Sequence, residues 1–557
     1  MEDAPIPRHQ PSAGPIVAEG GGTVAAVATE WLVPTIALAL GLVVSCWETL
    51  TSAFRLVQGD LGDTRLINFT LEHGYRWLMG MPLAEDLWSP PIFYPLQHVA
   101  FYTDLLLGVA PLYWPWRWLG CEPETSYQLW MITVWSINFV AAYLLLRRGL
   151  RVSAFGAAAG AYLFAFASSM MVNIVHQQLV ARFFLLAALA GAIAIFGQPT
   201  RTRSRSGAWW ACSLLWLGLV AQLYTAIYPL VFFVMAAGVA TFWALLAPSL
   251  RSSTLTVLKR FAAPLIASGM CAAALSAPAA IGYAAAASET GLRAPDQVLY
   301  PPVLSWFLTG RSNRVYGELQ AALDLGFDRK PATNNGLGCV TLAAAAYGLW
   351  LGRRRSAVRV VMAGFAGLVA LTVVLPGGWS PWLLVRELLP PAAAMRAVAR
   401  VGLMTLFPAA LGLAIVVDRL VGARRGVIVV LLLLAVVAEQ SHRIQTYDKA
   451  SNRERVASLA DRVPRDASSF LYVVDGQRWH AHLHDEAAWL ALATGVPTVN
   501  GRSGKAPRGW ELHRPVFRTP EEERALLARV QRWARLTGFD ATAVAWVEAD
   551  PRYHEAR

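Results

Sequence analysis

Long uncharged stretches dominate this chain and decide which solvent it folds in. Apolar runs fall near residues 31–48, 126–146, 153–172, 179–197, 208–223, 228–247, 261–284, 336–352, 357–375, 401–418 and 425–439. A helix needs about 20 apolar residues to cross the hydrocarbon core. It is also the one local structure that satisfies its own backbone there. The runs therefore predict a mainly α fold, a polytopic transmembrane helical bundle of about eleven spans. Composition agrees, with 56% of residues hydrophobic and 15% charged, against about a quarter charged in soluble domains. A soluble enzyme of several domains is excluded.

The basic residues set the topology. Arg147 to Arg151, Arg201 to Arg205, Arg251 to Arg260, Arg353 to Arg355 and Arg424-Arg425 follow every second run. Positive loops stay in the cytoplasm, so the N-terminus is expected inside and the C-terminal tail outside, in a plasma (inner) membrane. The net charge of +12 lies in these short clusters, which argues against a nucleic-acid footprint. Residues 99–119 are long enough to span, but counting them would move every later arginine outside. They also hold Asp104, Pro111 and Pro115 and end in Trp114, Trp116 and Trp118. Such aromatics favour the interface, so this segment reads as a helix on the outer surface within one external loop, 50–125.

Three domains follow. Residues 1–30 are rich in Pro, Gly and Ala and read as a disordered cytoplasmic tail, 31–440 as the membrane domain, and 441–557 as a small soluble extracytoplasmic α/β domain. In that tail Ser469–Val474 and Ala541–Val547 read as strands. Thr519-Pro520-Glu521-Glu522 supplies a cap, a first-turn proline and acids against the dipole for a helix reaching about Leu536. The five cysteines have no CxxC spacing and imply neither a disulfide framework nor a zinc site.

The first external loop is richest in chemistry. It opens Gly59-Asp60-Leu61-Gly62-Asp63-Thr64-Arg65-Leu66-Ile67-Asn68 and later reads Pro90-Pro91-Ile92-Phe93-Tyr94-Pro95. A carboxylate where membrane meets water can accept a proton from a hydroxyl or hold a cation. It can equally cap the helix that follows from Thr64.

These motifs resemble bacterial multi-pass glycosyltransferases of the GT-C type, and more closely a group of them that depends on polyprenyl-phosphate sugars. The resemblance rests on Gly62 to Asn68, Ile92-Phe93-Tyr94-Pro95 and Asn173-Ile174-Val175-His176-Gln177-Gln178-Leu179. It continues in Met395-Arg396-Ala397-Val398-Ala399-Arg400 and Val499-Asn500-Gly501-Arg502-Ser503-Gly504. It implies inverting transfer of a sugar from a polyprenyl-phosphate donor to an acceptor outside the membrane. Asp63 is then the expected general base, Asp104 a helping carboxylate, and Asn68 and Tyr94 belong to the motifs expected at the substrate. Two positions depart from the pattern: Arg65 stands where a small or apolar residue is common, and Arg502 where an aromatic is common. No cofactor is called for, and a divalent cation stays open.

Other residues are weighed on chemistry. An Asp at the interface is costly unless used or paired, so Asp104 either serves the site or pairs with Arg117 or Arg182. His176 and Gln177 suit hydrogen bonding to a sugar or phosphate, or simply cap a span end. Arg182 enters the next span by about a turn and either snorkels or faces the cavity. Arg396 and Arg400, four apart, share one face if helical; paired guanidiniums suit a donor phosphate, lipid headgroups or a bridge to Glu387. His480, His482 and His484 converge if they lie on a strand, which admits a metal, a polar face over the site or plain solvation. Asn500 reads as part of a tight turn that could touch sugar hydroxyls. Tyr224 and Tyr228 read as interface aromatics. The competing functions are a transporter or flippase of lipid-linked or small polar solutes, disfavoured by the lack of an inverted repeat, and a non-catalytic membrane scaffold.

Overall fold

The structure is a computed structural model and describes residues 20–197, 205–291, 298–375, 377–475 and 482–548. Helix α1 runs Gly20–Ser45, and α2, Asp63–Leu78, lies in the long loop that follows it. Helices α3 (Pro123–Leu144), α4 (Ala154–Phe166), α5 (Phe183–Phe196), α6 (Arg205–Leu223) and α7 (Ile227–Leu246) follow. Then come α8 (Ala262–Thr290), α9 (Cys339–Gly352), α10 (Ser356–Thr372), α11 (Leu406–Gly422) and α12 (Gly426–Glu439). Each apolar run of the sequence is therefore helical. Among the described residues, seven helical segments are long and apolar enough to cross a membrane, and four apolar helices are shorter. Helix α1 starts at Gly20, inside the stretch expected to be disordered. Residues 20–29 carry no charge, so the apolar run continues toward the N-terminus although its three glycines are poor helix formers.

Helix α11 is central: it packs against α4 and α9, and nearly every residue from Leu406 to Val417 is buried. Its contact with α9 needs small residues, because a Cβ on Gly348 or Gly412 would collide with the backbone of the facing helix. Such close backbone approach is a common way to join helices where lipid offers no hydrophobic drive. Helix α8 leaves most of its apolar surface exposed, as suits a face that a bilayer covers.

Residues 99–119 do not form the single surface helix expected. They make short 3₁₀ turns at Val99–Tyr102 and Ala110–Leu112 and a one-turn helix at Trp114–Trp118. Leu106 has a φ of 56°, and the amides of Leu106 and Gly108 bond to the carbonyls of Thr225 and Tyr224. Those bonds, with prolines at 111 and 115, pin the segment to the bundle as an irregular strap.

The C-terminal tail is stitched to this loop. Strand β1, Leu56–Gln58, pairs antiparallel with β2, Thr446–Asp448. Helix α13, Lys449–Ala460, leads into β3, Ser469–Asp475, the middle of a parallel sheet completed by β4, Val516–Phe517, and β5, Val544–Glu548. Helices α14 (Leu483–Thr494) and α15 (Pro520–Thr537) complete the tail. Thr519 caps α15 through Glu522 N, as its sequence requires. Strand β5 begins three residues later than read from sequence, after a 3₁₀ turn at Ala541–Ala543. His482 and His484 do not lie on a strand: His482 precedes α14 and His484 lies in its first turn, while His480 is outside the described residues. Burial of Leu483, Ala487, Leu490 and Ala491 explains this, since that spacing is helical. Loop and tail share one apolar cluster in which Phe93 meets Trp510 edge-on at 4.8 Å.

Candidate active site at the start of the first long loop

Asp63 is the first residue of α2, held at the entry to the helix by its neighbour. Asp60 Oδ1 accepts from the amides of Gly62 and Thr64 at 3.3 and 3.0 Å. The capping duty anticipated for these aspartates thus falls on Asp60. Asp63 turns elsewhere: its Oδ2 accepts from His176 Nδ1 at 2.9 Å and its Oδ1 from Arg502 Nη2 at 2.6 Å. Burial resists its ionisation, yet the His176 hydrogen bond and the Arg502 charge outweigh that and hold the carboxyl well below the usual carboxylate range. The helix N-terminus adds to the same effect. Burial, aided by the charge of Arg400, lowers the His176 pKa despite the carboxylate. His176 is therefore a neutral imidazole whose Nδ1–H donates.

Arg502 is shared. Its Nη1 donates to Asp485 Oδ2 at 2.6 Å, so one guanidinium from the tail bridges two carboxylates. Burial pushes Asp485 up to about 8 against the lowering effect of Arg502 and Arg65. Of the two acids, Asp63 is the ionised one and Asp485 the protonated one near neutral pH. Beneath them Arg65 is buried, with Glu486 at 4.0 Å, and Glu486 in turn meets Arg455 at 2.9 Å and the Tyr472 hydroxyl at 3.1 Å. Sequence reasoning met Arg65 and Arg502 only as departures from a pattern and gave Asp485 no place at this site. Two arginines at otherwise small or aromatic motif positions were the available signal, because buried cations need acids nearby.

The remaining sequence-selected residues distribute around this pair. Gln177 is buried and donates to Thr64 Oγ1 at 3.0 Å, tying the His176 loop to α2. Asn68, one turn further along α2, is buried with neither amide atom bonded to protein. Asp104 meets neither Arg117 nor Arg182: its Oδ1 accepts from Ile227 N at the start of α7 at 2.9 Å. Burial raises its pKa against that bond and the charge of Arg400. Arg117 grips Glu72 instead, at 2.8 Å. Arg182 is fully buried and donates to the carbonyls of Leu403 and Phe164 at 2.8 and 2.9 Å, so it joins helices.

Arg396 and Arg400 do not share a helical face. Arg396 is exposed in a bend, and Arg400 lies in a 3₁₀ turn, Val398–Met404. The amides of Arg396 and Ala397 both donate to the Tyr228 hydroxyl, and the Arg400 guanidinium lies 5.0 Å from the Tyr228 ring centre. Tyr228 thus shapes this turn, whereas Tyr224 donates to Leu275 O. Tyr94 and Asn500 have contacts within the scaffold. Tyr94 O accepts from Trp533 Nε1 at 3.0 Å. Asn500 is buried and bonds the backbone of Tyr472 through both ends of its amide. Among the described residues, no group of three or more His, Cys, Asp or Glu side chains is placed to hold a metal ion.

A mainly helical bundle matches the fold expected from the resemblance. The fold is shared with a solved archaeal oligosaccharyltransferase. The chain is similar to the oligosaccharyltransferase AglB of Archaeoglobus fulgidus, solved with an inhibitory peptide and a dolichol-phosphate. The TM-score is 0.51 and the identity 11%, over 85% of this chain and 64% of that one. This chain therefore spans less than two thirds of that protein's length. Mycobacterial arabinofuranosyltransferase AftD aligns at TM-score 0.47 and 15% identity, over 86% of this chain and 33% of that one. ArnT of Cupriavidus metallidurans, bound to undecaprenyl phosphate, aligns at TM-score 0.33 and 12% identity over 86% of each. No protein-family model and no curated protein sequence matches the chain.

Proposed function

We propose that this protein is an inverting membrane glycosyltransferase that moves a sugar from a polyprenyl-phosphate donor to an acceptor hydroxyl on the outer face of the inner membrane. The observation that carries the reading is the Asp63 carboxylate, held ionised between His176 and Arg502 at one end of the helical bundle. The acceptor oxygen attacks the anomeric carbon and the bond to the donor phosphate breaks. The polyprenyl phosphate leaves with that electron pair, and the hydroxyl proton passes to Asp63. Asp63 is a weak base as it stands, which suits a reaction where the sugar is largely cationic before the proton moves. His176, donating to Oδ2, orients the carboxylate. Arg400 is the cation proposed for the donor phosphate, stabilising the charge that develops as it departs. Its charge acts on both His176 and Asp104, so it lies on the site side of its turn.

The test is incubation of the purified protein, in membrane extract, with a panel of labelled polyprenyl-phosphate sugars. Transfer of label to a new product, with release of polyprenyl phosphate, is expected. Movement of an intact lipid-linked sugar across vesicles without bond cleavage would instead establish the flippase reading.

A further inference from the structure

A cavity of about 610 Å³, its open mouth included, lies along α2 inside the loop after α1. It is narrow and largely apolar, and its wall includes one face of α2: Leu66, Thr70, His73 and Gly74. Those positions continue the stripe that begins at Asp63, since residues three, four and seven apart share a helix face. Opposite stand Trp88, Leu106 and their apolar neighbours, and Arg502 with Ser503 closes one end. Among the described residues, the only charged group lining the cavity is thus the guanidinium that also binds Asp63. Burial lowers His73 to about 4, so the imidazole in the wall is neutral. Its Nε2 faces the carbonyls of Asp86 and Leu87, and its Nδ1 has no protein partner. Gly74 marks an unfilled part of the helix face, because a Cβ there meets nothing within 4 Å. By helix rise, Gly74 lies about 16 Å from Asp63 along the axis.

The two oxygens of Asp63 face different neighbours. Oδ2 meets His176, on which the charge of Arg400 also acts, and Oδ1 meets Arg502 at the cavity. We propose that the cavity receives the apolar chain of a lipid-borne acceptor, whose hydroxyl-bearing headgroup then lies at Asp63 and Arg502. This rests on the transfer reading above, which assigns the donor phosphate to the Arg400 side and leaves the Arg502 side for the acceptor. A wall without charge along its length suits a hydrocarbon chain and gives a peptide backbone few partners.

The test uses photolabelling of the full chain in nanodiscs, which needs no turnover. One probe is dodecyl glucoside with a terminal diazirine, and the other is farnesyl phosphate with a terminal diazirine. The glucoside is expected to label peptides within residues 66–110. Gly74→Leu, which fills the cavity, should reduce that label at least about fivefold, as crowding of a filled site commonly does. Gly74→Ala, which adds one methyl and favours helix, should keep most of it, and both variants should melt like the wild type. The proposal is overturned if the glucoside does not label this region, if Gly74→Leu leaves the label unchanged, or if farnesyl phosphate labels it in preference. A failed label leaves the transfer assay free to succeed, and a failed transfer assay leaves the label readable.

Discussion

Arg502→Ala removes the guanidinium that joins the tail to the loop after α1. It deletes the 2.6 Å bonds to Asp63 and to Asp485 and leaves Asp63 with His176 alone. Asp485, buried and with its pKa already near 8, escapes most of the penalty by staying protonated. The cost therefore falls mainly on Asp63. A hydrogen bond to a charged group contributes about 1.5–3 kcal/mol. Side-chain exposures of 27% for Arg502 and 30% for Asp63 admit solvent screening, which brings the expected loss to about 1–2 kcal/mol. That is roughly a 5–30-fold rise in the population of locally opened states. Hydrogen exchange followed by mass spectrometry should show this acceleration at residues 60–66 and 500–504 and not in α11. Asp63→Asn should give a smaller rise, and the double variant should fall short of the sum because the two side chains contact each other. Unchanged exchange in Arg502→Ala, or strict additivity, would refute the reasoning that this pair latches tail to loop.

Other expectations follow from the same network. Asp485→Asn should match wild-type stability only below about pH 4, where the residue it replaces is uncharged in the folded and the unfolded chain alike. Between about pH 4 and pH 8 the unfolded Asp485 is ionised while the folded one stays protonated. Wild-type stability therefore falls as pH rises through that window, and the melting temperature of Asp485→Asn relative to wild type should climb from pH 5 to pH 8. Asp63 has the opposite sign: its stabilisation is complete above its unfolded pKa of about 3.9 and is lost only as pH falls through its depressed folded value. Glu72→Ala should cost about 3–5 kcal/mol, since it strands Arg117 and the buried Tyr113 hydroxyl that bond to a fully enclosed carboxylate. Thermal melting in detergent would check it, and a shift of under a degree would contradict it. Arg400→Gln should raise the KM for a polyprenyl-phosphate donor about tenfold or more with a smaller change in kcat.

The membrane helices were legible because hydropathy dominates their folding and needs no long-range information. Each apolar run became a helix, most with ends a few residues away. The tail helix at Pro520–Thr537 was legible for a different reason, its local cap and first-turn acids. What escaped was set by contacts between distant segments. Residues 99–119 carry enough apolar residues for a helix, but backbone bonds to Tyr224 and Thr225 claim them. His482 and His484 alternate like a strand, yet the buried stripe that follows makes the segment helical. Within the site, Asp63 and His176 were both singled out by motif, and the structure brings them together. Arg502 and Asp485 could not be joined to them from sequence, because the relation crosses more than 400 positions.

The central claim is that Asp63 takes part in sugar transfer, and its most direct test is one comparison. Wild type and Asp63→Asn, purified alongside each other with matched folding, are given the same labelled polyprenyl-phosphate sugars in membrane extract. The account predicts transfer by the wild type and loss of about a hundredfold or more in the variant, the scale of a missing acid–base group. Equal transfer by both proteins would contradict it.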